Sequence, residues 1–308
     1  MEGECIMKVT INTDEKATGP KKQRINKGPG KRKVSEPVAG HSFKKWKILR
    51  WSSLIFFNFA FFASFYFDIQ LLEGSLSASR LLGFHMMDPF AALQIVLASK
   101  LILPNLVIGT VTVTIIYFFI GGRSFCSWIC PYHLLAEIGE VIHRKLVAKK
   151  LIKNHTFDYK TKYFLYVLFL VLSFTTSYSV FEVINPVAAL SRSFVYGPSI
   201  LLFWVAILLA FEILYARRAW CRYFCPIGVS YNLIGILAPT KIKYDVDKCS
   251  NCKECQKVCM VPFVLIDTVS KGEKEYVTKG DCTRCGLCID VCADEALSFS
   301  VRYLDKIM

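Results

Sequence analysis

Charge is what this chain has least of. Asp, Glu, Lys and Arg make up 20% of its 308 residues, 54% are hydrophobic, and mean hydropathy is +0.39. Long apolar runs and so few charges argue against an ordinary soluble domain and for a membrane protein. Acidic residues are scarcer still, 24 against 38 basic, giving a net charge of +14. Most of that excess flanks apolar runs, so no nucleic acid is expected as a partner. There is no GxGxxG and no P-loop, hence no motif for a nucleotide or flavin. Nor is there an acid–base set of the kind a stand-alone hydrolase or transferase needs. Cysteine is the exception to this poverty: 13 residues, in a chain too apolar for a secreted disulfide scaffold.

Composition divides the chain into three. Residues 1–45 form a basic, Gly/Pro-rich tail expected to be disordered, and residues 1–50 hold 13 Lys/Arg against 5 Asp/Glu. A polybasic lead of this kind suits anionic lipid, and it lacks the form of a secretory signal. Residues 46–240 contain four apolar runs, at about 51–67, 101–120, 163–180 and 199–215, each close to the ~20 residues that cross a bilayer. The loop 121–162 carries 8 basic and 3 acidic residues, and Arg217, Arg218 and Arg222 follow the last run. Basic-rich loops on one side place both termini in the cytoplasm. Residues 241–308, with 11 basic and 11 acidic residues and no apolar run, form a small cytoplasmic domain that needs a metal for stability.

The middle segment repeats itself. Asp88-Pro89-Phe90-Ala91-Ala92-Leu93 is echoed by Asn185-Pro186-Val187-Ala188-Ala189-Leu190, each a capped helix start with proline at the first helical position. Later in each unit comes a second proline, Pro104 or Pro198, then Arg, a small residue, an aromatic and Cys-x3-Cys-Pro. The expected fold is therefore a membrane all-α protein. Its four transmembrane helices form two parallel hairpin repeats, followed by a C-terminal two-cluster ferredoxin-like domain.

That last assignment rests on spacing. Cys249-x2-Cys252-x2-Cys255-x3-Cys259 is followed by Cys282-x2-Cys285-x2-Cys288-x3-Cys292. In this bacterial arrangement the fourth cysteine of each run ligates the other cluster. One [4Fe-4S] cluster is thus assigned to Cys249, Cys252, Cys255 and Cys292, the second to Cys282, Cys285, Cys288 and Cys259. Zinc is the rival ligand, but eight cysteines in two copies of one 2-2-3 spacing favour iron–sulfur. Met260 and Ala293 stand where proline usually follows the last cysteine. The insert 261–281 is expected to be a short hairpin turning at Lys271-Gly272.

The pairs Cys126/Cys130 and Cys221/Cys225 leave three readings open: a third metal site uniting both pairs, structural thiols at a tight corner, or a redox-active dithiol. Arg123, Arg218 and Arg222 would lower their pKa values. Cys5 is incidental. His85, Asp88, His133, Glu137, Glu140, His143, Glu182 and Glu212 are polar positions that could move protons or simply sit at an interface, and Lys100 can stabilise a helix end.

With its four runs, CSWICP, CRYFCP, CKECQKVCM and CTRCGLCIDVC in this order, the sequence from about residue 45 resembles a family of membrane-bound ferredoxin-type quinol dehydrogenase subunits. They belong to the periplasmic nitrate reductase system (NapH-type), and MauN and NosR-type proteins are similar. The resemblance implies an inner-membrane, multi-pass quinol dehydrogenase component. It would pass electrons from menaquinol or ubiquinol through [4Fe-4S] clusters to a multi-cluster ferredoxin-type partner and a cytochrome c or periplasmic reductase. It also carries ligand roles onto Cys126, Cys130, Cys221, Cys225 and the eight C-terminal cysteines. The competing reading is a protein for maturation or redox regulation of a respiratory metalloenzyme.

Overall fold

The computed structural model describes residues 45–67, 72–75, 78–81, 84–270, 272 and 274–302. The basic tail up to residue 44, with Cys5, lies outside them, as does Lys271 of the expected turn. Lys45 itself opens helix α1 (Lys45–Tyr66). A three-stranded antiparallel sheet follows, β1 (Leu72–Ser75), β2 (Ala78–Leu81) and β3 (Phe84–Met87), so the first half is not all-α as expected.

The repeat is visible in the helices. Its first copy is α2 (Pro89–Ser99), α3 (Pro104–Ile120), α4 (Ser124–Trp128) and α5 (Pro131–Ala148). After α6 (Thr161–Thr176) and α7 (Val180–Ile184), the second copy is α8 (Pro186–Tyr196), α9 (Leu201–Leu214), a π-helical turn Trp220–Phe224 and α10 (Ile227–Leu237). The starts of α2 and α8 match in detail. The Asp88 carboxylate accepts from the backbone N–H groups of Phe90 (3.2 Å) and Ala91 (3.1 Å), and Asn185 Oδ1 accepts from Val187 (3.1 Å). These contacts satisfy donors the helix itself leaves free. Phe90, Phe125, Tyr132, Phe181, Trp220 and Tyr231 belong to one buried core that joins the two copies.

The four spanning helices are not borne out. Among the described residues, no helix is long and apolar enough to cross a membrane. Helix breaks divide the apolar runs. Pro104 opens α3 and Gly121 closes it, leaving 17 residues; α6 has 16 and ends at Ser177 in the left-handed region; α9 has 14. At 1.5 Å per residue, 17 residues span about 25 Å, short of the ~30 Å hydrocarbon core. The 22-residue α1 is longer but carries Lys45, Lys47 and Arg50 in its first turns. The multi-pass inner-membrane location, the cytoplasmic placing of the termini and the lipid bilayer as partner rested on those spans and fall with them.

The C-terminal unit is framed by β4 (Thr240–Tyr244) paired antiparallel with β5 (Leu297–Val301), and holds the short helices α11 (Glu254–Val258) and α12 (Leu287–Asp290). Among its described residues the insert 261–281 begins with helical turns where a hairpin was expected. Pro262, with its fixed φ, opens a 3₁₀ turn to Leu265, and a π turn Ile266–Ser270 follows. The chain then runs beside β4, where Tyr244 N donates to Glu275 O (2.7 Å) and Val277 N to Ile242 O (2.9 Å).

This unit is clamped to α1. Asp290 accepts from the N–H groups of Trp46 (3.1 Å) and Lys47 (2.9 Å), an acidic cap on a positive helix end. The Trp46 ring packs edge-on to Phe299 at 4.5 Å and to Trp128 at 6.4 Å. Gly286, at φ +74°, leaves room for that indole; a Cβ there would lie 2.5 Å from Trp46 Cβ. Gly286→Ala is therefore expected to destabilise the chain by ~1–3 kcal/mol, combining backbone strain with a clash. A denaturant midpoint that fails to fall at unchanged slope would contradict this.

Candidate metal centres

Both C-terminal cysteine runs fold the same way. Asn251 and Lys253 in the first, and Arg284 and Gly286 in the second, occupy equivalent places between cysteines and all have positive φ. These left-handed residues curl each Cys-x2-Cys-x2-Cys loop so that its side chains turn inward, and α11 or α12 then carries the third cysteine. Cys282, Cys285 and Cys288 line one cavity, and the cysteine that joins them there is Cys259, from the other run. Cys255 is set among Cys249, Cys252 and Cys292. Two sulfurs of this second group accept backbone hydrogen bonds, Cys249 from Asn251 N and Cys292 from Ala296 N, both at 3.3 Å. Such bonds stabilise negative charge on sulfur and tune a cluster's potential. Among the described residues, no three His, Cys, Asp or Glu side chains converge closely enough to hold a single metal ion. A cubane takes one thiolate on each of four irons and so needs them farther apart.

The repeat brings its own four cysteines together. Cys126 and Cys130, at the start and end of the α4 corner, line one cavity with Cys221 and Cys225 from the π-helical turn. Pro131 and Ile227 open the helices that leave this corner. All twelve described cysteines are free thiols. The expectation that arginines would lower the pKa of the four corner thiols is overturned. Burial dominates and pushes Cys126, Cys130 and Cys221 up and Cys225 up to about 12, with Arg123 only partly offsetting it at Cys126. Neutral thiols of this kind are poor nucleophiles, which weakens the reactive-dithiol reading.

The cavity fits an anionic group. Arg123, Trp220 and Arg222 line it, and Arg123 Nε, Trp220 Nε1 and Arg222 Nη2 are buried without a hydrogen-bond acceptor. Buried donors are rarely left unpaired. A cubane with four thiolates bears net negative charge and has sulfide acceptors, so it would satisfy both the thiols and the donors.

Behind the corner lies a buried ion network that the sequence did not announce. Arg50, fully buried, donates from Nη2 to both Glu137 oxygens (2.8 and 2.7 Å) and from Nη1 to His133 Nε2 at 2.6 Å. A guanidinium only donates, so His133 is neutral with its proton on Nδ1. Burial and then Arg218, Arg50 and Arg123 hold its pKa well below the usual range. Glu140 pairs with Arg218, Arg217 and Arg144; burial alone would raise its carboxyl, but these cations hold it at about 2. On the other side of the corner, Asp281 takes Arg123 Nη1 at 2.6 Å and also Lys162. Arg50, Lys162 and Asp281 escaped the sequence reading. The one hint was that Arg50 and Lys162 are charges at the edges of apolar runs.

The other polar positions have structural partners. Glu182 pairs with Arg192 (2.7 Å), His143 contacts Ile213 O and Asn154, and Lys100 caps α2 with its ammonium over Phe174. Glu212 accepts from Trp220 N (2.8 Å), and burial raises its pKa to about 7. The His85 side chain lies outside the described residues.

Asp88 yields a pH prediction. Burial raises its carboxyl from 3.8 to about 7. Between those values the folded chain keeps a proton the unfolded chain has lost, so stability falls as pH rises from about 4 to about 7. Asparagine caps the equivalent helix at Asn185. Asp88→Asn is thus expected to be near neutral at pH 4 and stabilising at pH 8 by a few kcal/mol, at ~1.4 per pH unit. Thermal unfolding at both pH values checks it, and an equal shift at each would rule the linkage out.

Crossed cysteine runs under a two-stranded frame, and four more thiols in one cavity, describe an iron–sulfur protein of ferredoxin type. The 4Fe-4S dicluster domain family matches residues 241–293, and the 4Fe-4S binding domain family matches 102–150 and 196–244, one match over each Cys-x3-Cys-Pro corner. The ferredoxin-type protein NapH of Haemophilus influenzae is 34% identical over 77% of this chain and 83% of its own length. NapH of Escherichia coli is 30% identical over 84% and 90%. The methylamine utilization ferredoxin-type protein MauN of Methylobacillus flagellatus is 31% identical over the same shares. No solved structure matches significantly. The chain belongs to the NapH/MauN family of ferredoxin-type proteins and is an iron–sulfur protein of electron transfer.

Proposed function

We propose that this chain is the iron–sulfur component of a quinol dehydrogenase. It would hold one [4Fe-4S] cluster on Cys249, Cys252, Cys255 and Cys292, a second on Cys259, Cys282, Cys285 and Cys288, and a third on Cys126, Cys130, Cys221 and Cys225. The observation that carries the third centre is the cavity where four thiols from two repeat copies meet under unpaired buried donors. Bound clusters supply one-electron redox chemistry. The protein's own residues ligate them, exclude water and set the local charge. A quinol gives up two electrons and two protons, and several one-electron acceptors in one chain suit the division of that pair. The next carrier is a ferredoxin-type partner leading to a reductase of the nitrate reductase type. The relatives named for methylamine utilization support a shared carrier role with a different terminal acceptor.

Iron and acid-labile sulfide per chain, measured anoxically, test the reading together with reduction by a quinol analogue. About twelve irons that the quinol reduces is the expected result. Zinc without sulfide would end it. Full iron with no reduction, even beside the partner, would favour a maturation role.

A further inference from the structure

The two cavities nearest the repeat are not independent. Val261 and Thr283 line both the cavity of Cys126, Cys130, Cys221 and Cys225 and the cavity of Cys259, Cys282, Cys285 and Cys288. One layer of side chains therefore separates them. Three polar contacts fasten the corner to the loop across this wall: Arg123 to Asp281 (2.6 Å), Ser127 Oγ–H to the Thr283 carbonyl (2.7 Å), and Trp128 Nε1–H to the Arg284 carbonyl (3.1 Å). Ser127 follows Cys126 in the chain and Thr283 follows Cys282. A single buried hydrogen bond thus links the backbones of two candidate ligands through two adjacent residues. Ser127, Asp281 and Thr283 are all buried.

The remaining set is placed differently. Cys249, Cys252 and Cys292 line neither cavity, and Cys252 is exposed.

We infer that the corner 123–128 and the loop 281–284 form a bridge coupling the four corner thiols to the Cys259/282/285/288 set, with the Ser127–Thr283 hydrogen bond as its central contact, and that the Cys249/252/255/292 set is the outward port to a partner. This rests on the three-centre reading above. Electronic coupling decays faster through space than through covalent and hydrogen bonds, so the Ser127 hydroxyl acts as a positioning group. One electron and no proton crosses the bridge, oxidising the group on one side and reducing the group on the other. Asp281 offsets one of its two cations, Arg123 and Lys162, and the positive charge left over stabilises an added electron on either side.

Anoxically reduced whole protein is examined by electron paramagnetic resonance, alongside iron content. The signal lost in the Cys126→Ser/Cys225→Ser variant identifies the corner centre. In the native sequence that signal is expected to show spin–spin broadening that disappears in Cys288→Ser and persists in Cys249→Ser. Ser127→Ala should keep full iron yet slow electron transfer across the bridge several-fold after one-electron photoreduction, and Ser127→Thr, which retains the hydroxyl, should restore it. Broadening that vanishes in Cys249→Ser instead, or an unchanged rate in Ser127→Ala at full iron, would overturn the bridge while leaving three centres standing. About eight irons, unaltered by the corner substitutions, would overturn the three-centre reading itself.

Discussion

Cys259→Ser is expected to remove the [4Fe-4S] signal that Cys282, Cys285 and Cys288 support and to spare the one supported by Cys249, Cys252 and Cys255, although Cys259 ends the latter run. The reason is spatial. Beyond α11 the chain extends at Cys259 (ψ 133°), and Val261 then lines the cavity of the second loop. Cys259 therefore stands among Cys282, Cys285 and Cys288, and Val261 helps to wall that cavity. Serine is a poor iron ligand, so about four irons per chain would be lost. In a unit of this size, loss of a metal centre also removes much of its folding energy. Cys292→Ser should produce the opposite pattern. If Cys259→Ser and Cys249→Ser erased the same signal, each cluster would belong to a single run and the crossed assignment would be wrong.

Arg50→Met carries the second large effect. Its guanidinium sits fully buried against both oxygens of Glu137 and the ring of His133, and among the described residues no other cation is closer to Glu137 than Arg218 at 4.0 Å. Removing it leaves a buried carboxylate without its bidentate partner, a change that typically costs ~3–5 kcal/mol. Arg50→Met with Glu137→Gln removes both charges and should recover a large part of that loss. The double-mutant cycle reads the coupling directly. Additive losses in the double variant would show that the pair contributes packing and little electrostatics.

How much of this was legible beforehand varies with the range of the interaction. The grouping of Cys282, Cys285 and Cys288 around one cavity was legible from spacing because it is local: two residues between cysteines let one loop encircle a group. The Asp88 and Asn185 caps were equally legible, since a capping side chain reaches only two or three residues ahead. The apolar runs misled for the converse reason. Hydropathy averages over a window and is blind to the backbone breaks at Pro104, Gly121 and Ser177 that cut the helices short. Arg50, Lys162 and Asp281 were invisible because their partners lie 83 to 158 residues away, as with Arg50–His133 and Arg123–Asp281. The acidity expected of the corner thiols failed on a related point. Nearby arginines can be read from the chain, but burial cannot.

That burial bears on how the protein is assembled. Burial favours the S–H form of each corner thiol, whereas a cluster bound there would need all four as thiolates. Loading such a cluster would therefore release a proton per sulfur and become less favourable as the medium acidifies. The walls also come from both repeat copies and from the C-terminal loop, so a cluster bound there would fasten three distant parts of the chain to one another.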